Sequence, residues 1–455
     1  MTRTTPVDEL PELLPAGRVV TDPAAMEPYR HDWTRVPAGR PLAVVLAEDA
    51  ADVQAAVGWA ARHRVPVVPR GTGTGLAGGA TAVEGCLVLS TERMTAIEVD
   101  PATRTVVAGA GALTSAVKDA AAEHGLWYPP DPGSFRISTI GGNVATNAGG
   151  ICCVKYGVTT DYVLGMDVVL SDGRLVTLGG RTVKDVAGLP LLKLFVGSEG
   201  TLGVVTRVVL RLVPLPAPSA TLVAWFDSTR AAAEAVVAMS LRVRPSMLEL
   251  MDTGAVNAVE DFAPMGLDRD AGCLLVGQSD APGTARAAEV AVMVACCEEA
   301  GALRAYALED PVEGDRFLEA RRAAGPAIDV LGDVLSEDIC VPVDRLPLAM
   351  ARIEAVAQAT DTPIPVFAHA GDGNLHAAIV RTPGDEDSAR RAQEAFESVL
   401  QIALECGGTI SGEHGVGRTK VAVLPQQLGP DVMDVGRRVR EALDPLRILN
   451  PGVLW

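Results

Sequence analysis

The first half of the chain carries short apolar runs and amphipathic segments, and this pattern predicts a succession of strands and helices. Apolar residues at 41–46 and 65–68 predict two strands, and apolar positions at helical spacing from Val53 to Ala60 predict a helix between them. Further periodic segments predict a hairpin at 96–108, a helix at 113–125, a hairpin at 164–180 and a strand at 202–213. The proline-rich residues 213–220 are typical of a linker, so we expect a first domain at 38–217.

The pattern changes in residues 218–455, which we expect to form a second domain. Strands and helices are predicted in the order β-α-β-β-α-β, the ferredoxin-like arrangement of an antiparallel α+β domain. The strands fall at 221–226, 246–251, 273–279 and near 303, with helices after 227 and at 284–301. A second, partial copy is predicted from strands at 338–341, 365–369 and 375–380 and helices from 344 and at 386–406. A helical tail is expected to end the chain.

The stretch VPVVPRGTGTGLAGGA, residues 65–80, contains glycines in the G-x-G-x-x-G spacing of dinucleotide-binding loops. That motif requires a helix to begin at the third glycine and an acidic residue about 20 residues further on. Residues 79–85 have no helical period, and Glu92, which is close to the expected distance, lies in a polar turn. We therefore reject a Rossmann site and interpret the glycines as a loop whose bare amides bind phosphate oxygens.

A second glycine-rich stretch, YPPDPGSFRISTIGGNVATNAGG, occupies residues 128–150. Prolines stiffen its first arm and glycines open its second arm. Its threonines and asparagines offer hydroxyls and amides to a phosphate or to the edge of a ring. Two such loops without a Rossmann helix predict a dinucleotide that is gripped between two subdomains.

Charge and cysteine content limit the partners and the compartment. The 455-residue chain has a formal net charge of −18, which disfavours nucleic acid and anionic membranes as partners. No apolar run has the length of a membrane-spanning helix. Eight cysteines occur without a C-x-x-C spacing, and the first residues are acidic and contain prolines, unlike a signal peptide. We therefore expect reduced thiols and a cytoplasmic protein.

Ordered motifs run from about residue 40 to the C terminus: PRGTGTGLAGG, PPDPGS, TIGGNVATNAGG, FVGSEGTLGVVT, EDICVPVDRLP, HAGDGNLH, SGEHGVG and LNPG. With these motifs the sequence resembles the FAD-linked oxidases of the vanillyl-alcohol oxidase / p-cresol methylhydroxylase (PCMH) superfamily. Within that superfamily it resembles the D-lactate, D-2-hydroxyglutarate and glycolate dehydrogenase group. The resemblance implies an α+β protein with a two-subdomain PCMH-type FAD-binding domain. A substrate (cap) domain follows, with the metal site and a C-terminal segment that contacts FAD.

The resemblance places FAD on the glycine-rich stretches and on single residues further along the chain. The implied FAD-binding residues are Pro69, Arg70, Gly71, Thr72, Gly73, Thr74, Gly75, Leu76, Pro130, Asp131, Ser134, Thr139, Gly141, Gly142, Asn143, Thr146, Asn147, Gly149, Gly150, Tyr156, Gly157, Glu199, Gly203, Val204 and Asn450. In relatives with covalent flavin a His or Cys attaches the ring, and neither occurs between His63 and Cys86. We therefore expect non-covalent FAD. Many relatives have Gly-Tyr-Asp where this chain has Gly188-Leu189-Pro190, so the sequence offers no tyrosine hydroxyl there.

Three of the six histidines fall in two short motifs, His369 and His376 in HAGDGNLH and His414 in SGEHGVG. Strands on both sides of the Gly-Asp-Gly-Asn turn predict a hairpin that places the first two histidines at facing ends. Two imidazoles and a carboxylate are typical ligands of zinc and related divalent metals, and Glu413 is the obvious carboxylate. A histidine pair alone is more often structural, and Asp372 competes as a ligand, although D-G favours a turn.

The resemblance resolves these alternatives. It implies one divalent metal at His369, His376 and Glu413, with zinc favoured and manganese as the alternative, and it makes His414 the base. A 2-hydroxy acid fits, because its hydroxyl and carboxylate can chelate one metal that lowers the hydroxyl pKa. Proton removal by His414 and hydride transfer to flavin N5 would then give the 2-oxo acid.

The segment FLEARRAAGPAI aligns Arg321 with the arginine that binds substrate in relatives, and Arg322 is its main competitor. Only one of two neighbours on a helix can face the site. The sequence has no iron–sulfur cysteine pattern, so we expect an external electron acceptor: an electron-transfer protein, a cytochrome or a quinone. The sequence leaves a homodimer open.

The hydroxyglutarate enzymes of the group carry a Lys and an Asn where this chain has Ser336 and Ala378. Both differences argue against a second substrate carboxylate, and EDICVPVDRLP is closer to the lactate branch, so a small or apolar D-2-hydroxy acid is favoured. D-2-hydroxyglutarate and glycolate stay open as alternatives, as does the choice between an oxidase and a dehydrogenase. A more distant alternative is a non-redox flavoenzyme of the ether-lipid synthase type, which has histidine runs in place of HAGDGNLH.

Overall fold

The computed structural model describes residues 6–34 and 36–455, which form two compact units. The first unit contains the described residues up to Gly149 together with 158–215 and 413–455. The second unit contains residues 150–157 and 216–412. The first five residues, on which part of the expectation about localisation rests, lie outside the described ranges.

The first unit is built on two sheets and a short ribbon, with strands and helices numbered here along the whole chain. A four-stranded sheet has the order β1-β2-β4-β3, from Val19–Val20 (β1), Ala43–Leu46 (β2), Val67–Arg70 (β3) and Leu87–Ser90 (β4). A five-stranded antiparallel sheet has the order β5-β6-β10-β8-β9, from Ile97–Asp100 (β5), Thr105–Gly109 (β6), Val163–Val169 (β8), Leu175–Gly179 (β9) and Val204–Arg211 (β10). Leu126–Trp127 (β7) pairs with Val213–Pro214 (β11).

The helices of the first unit are Leu10–Leu13 (α1), Pro23–Met26 (α2), Ala50–His63 (α3), Thr114–Ala122 (α4), Ile140–Thr146 (α5), Leu192–Phe195 (α7) and Leu424–Leu443 (α14). Helix α3 confirms the helix that was predicted from the amphipathic spacing of Val53 to Ala60. The Asp49 side chain caps its first turn by accepting from the Asp52 amide, and the apolar face from Val53 to Ala60 is buried against the four-stranded sheet. The predicted strands on both sides of α3 are present, but β4 lies between them and is parallel to both.

The two glycine clusters differ in structure. Residues 71–86 connect β3 to the parallel strand β4 through turns alone, with no helix among these described residues, so the rejection of a Rossmann loop is confirmed. The second cluster was interpreted as a glycine-rich loop, and the structure shows that part of it is the helix α5. Thr139 caps α5 by accepting from the Gly142 amide, and Asn147 ends α5 in the left-handed region with φ 54°. Gly141 and Gly142 lower the helix propensity of this seven-residue segment, and its helical conformation is defined by the capping residues at both ends.

The second unit is built on one seven-stranded antiparallel sheet of the order β15-β12-β14-β13-β17-β18-β16. Its strands are Ala220–Phe226 (β12), Met247–Asp252 (β13), Cys273–Ser279 (β14), Arg304–Leu308 (β15), Asp333–Cys340 (β16), Val366–His369 (β17) and Asn374–Arg381 (β18). Its helices are Cys153–Tyr156 (α6), Thr229–Ser240 (α8), Thr253–Phe262 (α9), Ala285–Glu299 (α10), Pro311–Asp329 (α11), Leu346–Thr360 (α12) and Glu386–Glu405 (α13).

The sheet of the second unit confirms the ferredoxin-like prediction and its partial repeat. Strands β12, β13, β14 and β15 follow one another in the chain but lie in the order β15-β12-β14-β13, which is the ferredoxin-like order. Strands β16, β17 and β18 repeat the first three strands of that pattern, and antiparallel pairing of β13 with β17 joins the two copies. Helix α9, between β13 and β14, was not predicted.

We find no helix in residues 6–34 and 36–455 with the length and apolarity required to cross a membrane.

Candidate active site

The first unit brings the two glycine clusters into contact. A Cβ added at Gly71 would overlap the Thr139 hydroxyl, so the first loop passes directly over the N-cap of α5. The Thr72 hydroxyl also donates to the Ile137 carbonyl at 2.6 Å. The two segments that sequence analysis assigned to FAD therefore form one continuous surface in this unit.

The side chain of Arg70 packs against the first glycine-rich loop. Gly73, with φ 76°, curves around its guanidinium, and a Cβ there would overlap the guanidinium nitrogens. Arg70 donates to the carbonyls of Ala80 and Pro28, at 3.4 and 3.2 Å, and is buried. The buried carboxylate of Asp32 holds the far end of the loop by accepting from the Ala80 amide at 3.2 Å. Arg70 therefore shapes the loop through hydrogen bonds to protein carbonyls.

Glu199 joins the first-unit segment after residue 413 to the rest of that unit. Its two carboxylate oxygens accept from the backbone amides of Val416 and Gly417, at 2.9 and 2.8 Å. Burial raises the pKa of Glu199 to about 7, against the lowering effect of these two donors and of Arg418. Arg418 and Asn450 complete the attachment, because they bond to each other and to carbonyls of the glycine-rich loop, Gly78 and Gly79.

Several other predicted FAD-binding residues use their side chains inside the protein. Asn143 donates to the Thr114 hydroxyl at 2.7 Å, Asn147 accepts from the Thr160 amide at 2.9 Å, and Thr146 donates to the Gly142 carbonyl at 3.2 Å. Asp131 lies 3.5 Å from the ammonium of Lys118, and a Cβ at Gly203 would overlap Val168. Gly150, Tyr156 and Gly157 belong to the second unit, where the Tyr156 hydroxyl donates to the buried carboxylate of Asp280.

Two glycines of the first loop are not required by any contact within the described part of the chain, and they provide a test of the fit to FAD. Gly75 and Gly79 have no left-handed φ, and the nearest atoms to an added Cβ lie 3.8 and 3.7 Å away. The surrounding residues therefore leave room for a Cβ at both positions. A glycine at each position is expected where a ligand approaches the backbone closely, as a pyrophosphate does.

Cys86, the cysteine next to the first loop in sequence, is fully buried in a small apolar cluster with Val44, Val68 and Val88. Burial raises the pKa of its thiol to about 11. A buried, protonated thiol is a poor nucleophile, so this residue does not offer a point of covalent attachment for flavin.

In the second unit, strand register places a carboxylate opposite each histidine of HAGDGNLH. Glu249 on β13 pairs with His369 on β17, and Asp338 on β16 pairs with His376 on β18. The two imidazole rings lie edge to face with their centroids 5.1 Å apart. The predicted hairpin is confirmed. Asp372 lies in the turn of this hairpin, and its carboxylate accepts from the backbone amide of Asn374 at 3.4 Å, as expected for a turn residue.

Arg321 on α11 reaches this same group. Its guanidinium lies 4.5 Å above the ring of Phe367, and its Nε is 2.8 Å from the Glu249 carboxylate. Arg322, the competing residue, is exposed. Of the two arginines, the helix therefore turns Arg321 toward the histidines.

Glu413 and His414 are the first residues of the C-terminal segment of the first unit. Gly412, the last residue of the second unit, lies against Asn374 and Asp338, where an added Cβ would overlap the Asn374 amide. The roles of Glu413 and His414 stay predictions.

The two carboxylates that face the histidines were not predicted from the sequence. Glu249 interrupts the apolar run MLELMD, and Asp338 lies in the quoted motif EDICVPVDRLP. Both are almost fully buried, at 1% and 0% exposure. A charged residue inside a buried strand requires a partner, and that was the available signal.

Known families match nearly the whole chain. The FAD binding domain matches residues 41–179, and the C-terminal domain of FAD linked oxidases matches residues 215–454. The chain therefore belongs to the FAD-linked oxidase family, and it is an FAD-dependent oxidoreductase. The resemblance drawn from its motifs is confirmed.

Similar proteins cover the chain from end to end. The glycolate oxidase subunit GlcD of Bacillus subtilis (strain 168) is 38% identical over 97% of this chain and 93% of its own length. A D-lactate dehydrogenase of Archaeoglobus fulgidus is 37% identical over 90% of both chains. A D-2-hydroxyglutarate dehydrogenase of Xanthomonas citri pv. viticola is 32% identical over 98% of this chain and 96% of its own length.

Solved structures confirm the PCMH-type α+β fold. p-Cresol methylhydroxylase with bound substrate is similar with a TM-score of 0.82 and 17% identity, over 98% of this chain and 95% of that chain. Alkyldihydroxyacetonephosphate synthase is similar with a TM-score of 0.75 and 20% identity, over 98% of this chain and 84% of that chain. At these identities the likeness defines the fold alone.

Proposed function

We propose that this protein is an FAD- and divalent-metal-dependent dehydrogenase that oxidises a D-2-hydroxy acid, with D-lactate or a similar small acid favoured, to the 2-oxo acid. One observation carries the proposal. His369 and His376 lie on one face of the sheet of the second unit, and each is directly opposite a buried carboxylate on the neighbouring strand. The buried side chain of Arg321 contacts one of these carboxylates. Relatives named as glycolate, D-lactate and D-2-hydroxyglutarate enzymes support a 2-hydroxy acid as the substrate class.

The donor set at this face fits a divalent metal. His369 and His376 present two imidazoles, and each has its Nδ1 side toward a carboxylate. Histidine ligands of metals are usually held by a carboxylate or carbonyl on the ring nitrogen away from the metal. We propose that Glu413 is the third ligand, with zinc as the favoured metal and manganese as the alternative.

Chain connectivity supports the inclusion of Glu413 and His414. Thr409 pairs with Cys340 at the end of β16, and the Ser411 hydroxyl donates to Asp338 at 2.9 Å. Segment 409–412 is thereby fixed beside Asp338 in the second unit. Glu413 is bonded to Gly412, and successive Cα atoms are about 3.8 Å apart.

Each residue would then have one role. Arg321 binds the substrate carboxylate, for which a guanidinium offers two parallel N–H donors. His414 takes the proton of the C2 hydroxyl as general base. When bound, the metal would lower the pKa of the hydroxyl, and FAD would supply the acceptor for the hydride from C2. We propose that FAD is held without a covalent bond, since the Cys86 thiol is buried and protonated.

The substrate preference rests on a pair of facing residues. Ser336 on β16 is directly opposite Ala378 on β18, so the positions that carry Lys and Asn in hydroxyglutarate enzymes are neighbours in this sheet. Neither residue here can bind a second carboxylate as an ion pair. A small or apolar side chain at C2 is therefore favoured.

We also propose that the electrons leave to an external acceptor (an electron-transfer protein, a cytochrome or a quinone), that the protein acts in the cytoplasm, and that a homodimer is compatible with the chain. All eight cysteines, each within the described residues, are thiols rather than disulfides, which supports a reducing compartment.

Anaerobic reduction of the flavin by a panel of acids tests the proposal. D-lactate, glycolate, D-2-hydroxyglutarate and the L enantiomers are mixed in turn with the holoenzyme, and the loss of flavin absorbance is timed. We expect D-lactate to reduce the flavin faster than D-2-hydroxyglutarate and much faster than L-lactate. Flavin that no acid reduces would contradict the proposal and favour a non-redox enzyme. Oxygen added afterwards separates the two redox classes, because an oxidase is re-oxidised rapidly.

A further inference from the structure

The carboxylate of Glu249 is shared between two residues of the proposed site. Its oxygens lie 2.9 and 3.0 Å from Nδ1 of His369, and one of them lies 2.8 Å from Nε of Arg321. The three side chains are 1%, 9% and 7% exposed, so water does not weaken these contacts. A single buried carboxylate therefore touches both a proposed metal ligand and the proposed substrate arginine.

Strand register and a neighbouring helix produce this arrangement. Glu249 is the cross-strand partner of His369, so the Cβ atoms of the two residues are held about 4.5–5.5 Å apart. Arg321 belongs to α11, and its guanidinium packs on the ring of Phe367. Phe367 is two residues before His369 on the same strand. Because alternate residues of a strand share a face, Phe367 and His369 present one surface to Arg321 and Glu249.

We propose that Glu249 is a positioning residue that fixes His369 and Arg321 at the same time. This inference rests on the proposed function. A carboxylate that accepts from Nδ1–H selects one tautomer of His369 and directs Nε2, on the opposite side of the ring, toward the metal. The same carboxylate forms a buried ion pair with Arg321, which holds the guanidinium in place to bind the substrate carboxylate.

His376 differs from His369 in its contact with the facing carboxylate. Asp338 Oδ1 is 3.9 Å from Nδ1 of His376, beyond hydrogen-bond distance. The two carboxylate oxygens of Asp338 accept instead from the side-chain amide of Asn374 at 2.7 Å and from the Ser411 hydroxyl at 2.9 Å. Of the two facing carboxylates, Glu249 is the one in hydrogen-bond contact with its histidine.

Replacement of Glu249 by Gln separates this role from a purely structural one. Gln has nearly the same shape, but it carries no negative charge and has one acceptor oxygen instead of two, so it weakens the contacts with both His369 and Arg321. We expect the dissociation constant for Zn²⁺ or Mn²⁺, measured by chelator competition on the resting holoenzyme, to rise about 10- to 100-fold. At saturating metal, KM for D-lactate should rise roughly 10-fold or more, with a smaller change in kcat.

Glu260 provides the matched control. It is also a buried carboxylate of the second unit, but among the described residues its Oε1 accepts from the backbone amides of Met265 and Leu267 and contacts neither a histidine nor an arginine of the proposed site. Glu260→Gln keeps that acceptor oxygen, so metal affinity and KM should stay within about twofold of the wild-type values. If Glu249→Gln does not fold, Glu249→Asp keeps the charge but shortens the side chain, and it should show the same two changes.

The results separate failure of this inference from failure of the proposed function. Wild-type protein that binds no metal, or whose flavin no 2-hydroxy acid reduces, would refute the proposed function itself. If the wild-type protein binds metal and oxidises D-lactate, but folded Glu249→Gln equals it in both metal affinity and KM, only the positioning role is overturned. A change in one of the two quantities alone would overturn the shared role as well.

Discussion

Asp338 and His376 are directly opposed on the antiparallel strands β16 and β18, and Asp338 Oδ1 lies 3.9 Å from Nδ1 of His376. The carboxylate is fully buried and is held by Asn374 and Ser411. A buried negative charge beside an imidazole favours a cation on or near the ring. The pair would therefore stabilise a cation held by His376, as the proposed metal site requires.

Removal of the metal should abolish turnover and leave the flavin in place. We expect exhaustive chelation to stop the reduction of FAD by D-lactate while the flavin absorbance spectrum is retained, because the proposed metal ligands and the glycine-rich loop proposed to bind FAD come from different segments. His376→Ala should have the same effect, since a site with three protein ligands that loses one binds metal poorly. Elemental analysis of wild-type protein should give one metal per chain. Full activity of chelated protein that contains no metal would contradict this prediction.

All of the FAD should be released when the protein is denatured. The reason is that residues 64–85 contain no His or Cys and that the thiol of Cys86 is buried, with its pKa raised to about 11. Acid precipitation followed by centrifugation checks this, and we expect the yellow colour in the supernatant. Flavin that remains in the protein pellet would show covalent attachment and refute the prediction.

Most of the fold could be predicted from local patterns, and the errors have identifiable causes. Amphipathic α3 and the ferredoxin-like order were readable because apolar spacing and the order of elements are local properties. Helix α5 was missed because Gly141 and Gly142 lower helix propensity, whereas the cap at Thr139 decides the conformation. The insertion of β4 between β2 and β3 is a matter of pairing between distant strands, and sequence pattern does not define it.

The candidate site shows the same division. The histidines and Arg321 stood in motifs and could be proposed from sequence. Glu249 is 120 residues before His369, and only the pairing of β13 with β17 brings the two together. The glycine-rich loop is similar, because its supports Asp32, Glu199 and Asn450 come from three separate segments. Residues that act through non-local register leave little more than a buried charge as a sequence signal.

Asp252 should make stability depend on pH. It caps α9 and also accepts from the Val366 amide, and burial raises its pKa to about 7. Between its ordinary pKa near 4 and about 7, the folded state binds more protons at this residue than the unfolded state, so stability falls as pH rises. Asp252→Asn removes this titration but can still cap α9.

We therefore expect the melting temperature of the wild-type protein, relative to that of Asp252→Asn, to fall as pH rises from about 4 to about 7 and to level off above that range. Thermal unfolding of both proteins across this pH range measures the difference. A difference that is constant with pH would show that Asp252 does not titrate in this range.

His414→Asn should block proton removal without loss of cofactors. Asn is close to His in size but is not a base near neutral pH, so flavin reduction by D-lactate should slow by roughly 10²- to 10⁴-fold. Arg321→Ala should instead act mainly by weakening substrate binding, because its charge contact exists before the transition state. Stopped-flow absorbance across pH checks both variants. Near-normal flavin reduction by His414→Asn, or loss of its metal, would refute the assignment of His414 as base.

The facing pair Ser336 and Ala378 should control the choice between small acids and dicarboxylates. Ala378 is two residues from His376 on β18, so both side chains lie on the same face of the sheet, and Ser336 is opposite on β16. The double replacement Ser336→Lys with Ala378→Asn introduces a cation and an amide beside the histidines. A charge-assisted contact with a second carboxylate stabilises binding by about 1.5–3 kcal/mol.

The double variant should therefore raise kcat/KM for D-2-hydroxyglutarate by roughly 10- to 100-fold and leave kcat/KM for D-lactate unchanged or lower. Ser336→Met with Ala378→Asn is the matched control, because Met has a similar length to Lys but no charge, and it should bring little gain. The ratio of kcat/KM for the two acids is the quantity to compare among the three proteins. If the control gains as much as the lysine variant, the effect comes from shape rather than charge, and the assignment of this pair as the dicarboxylate determinant is wrong.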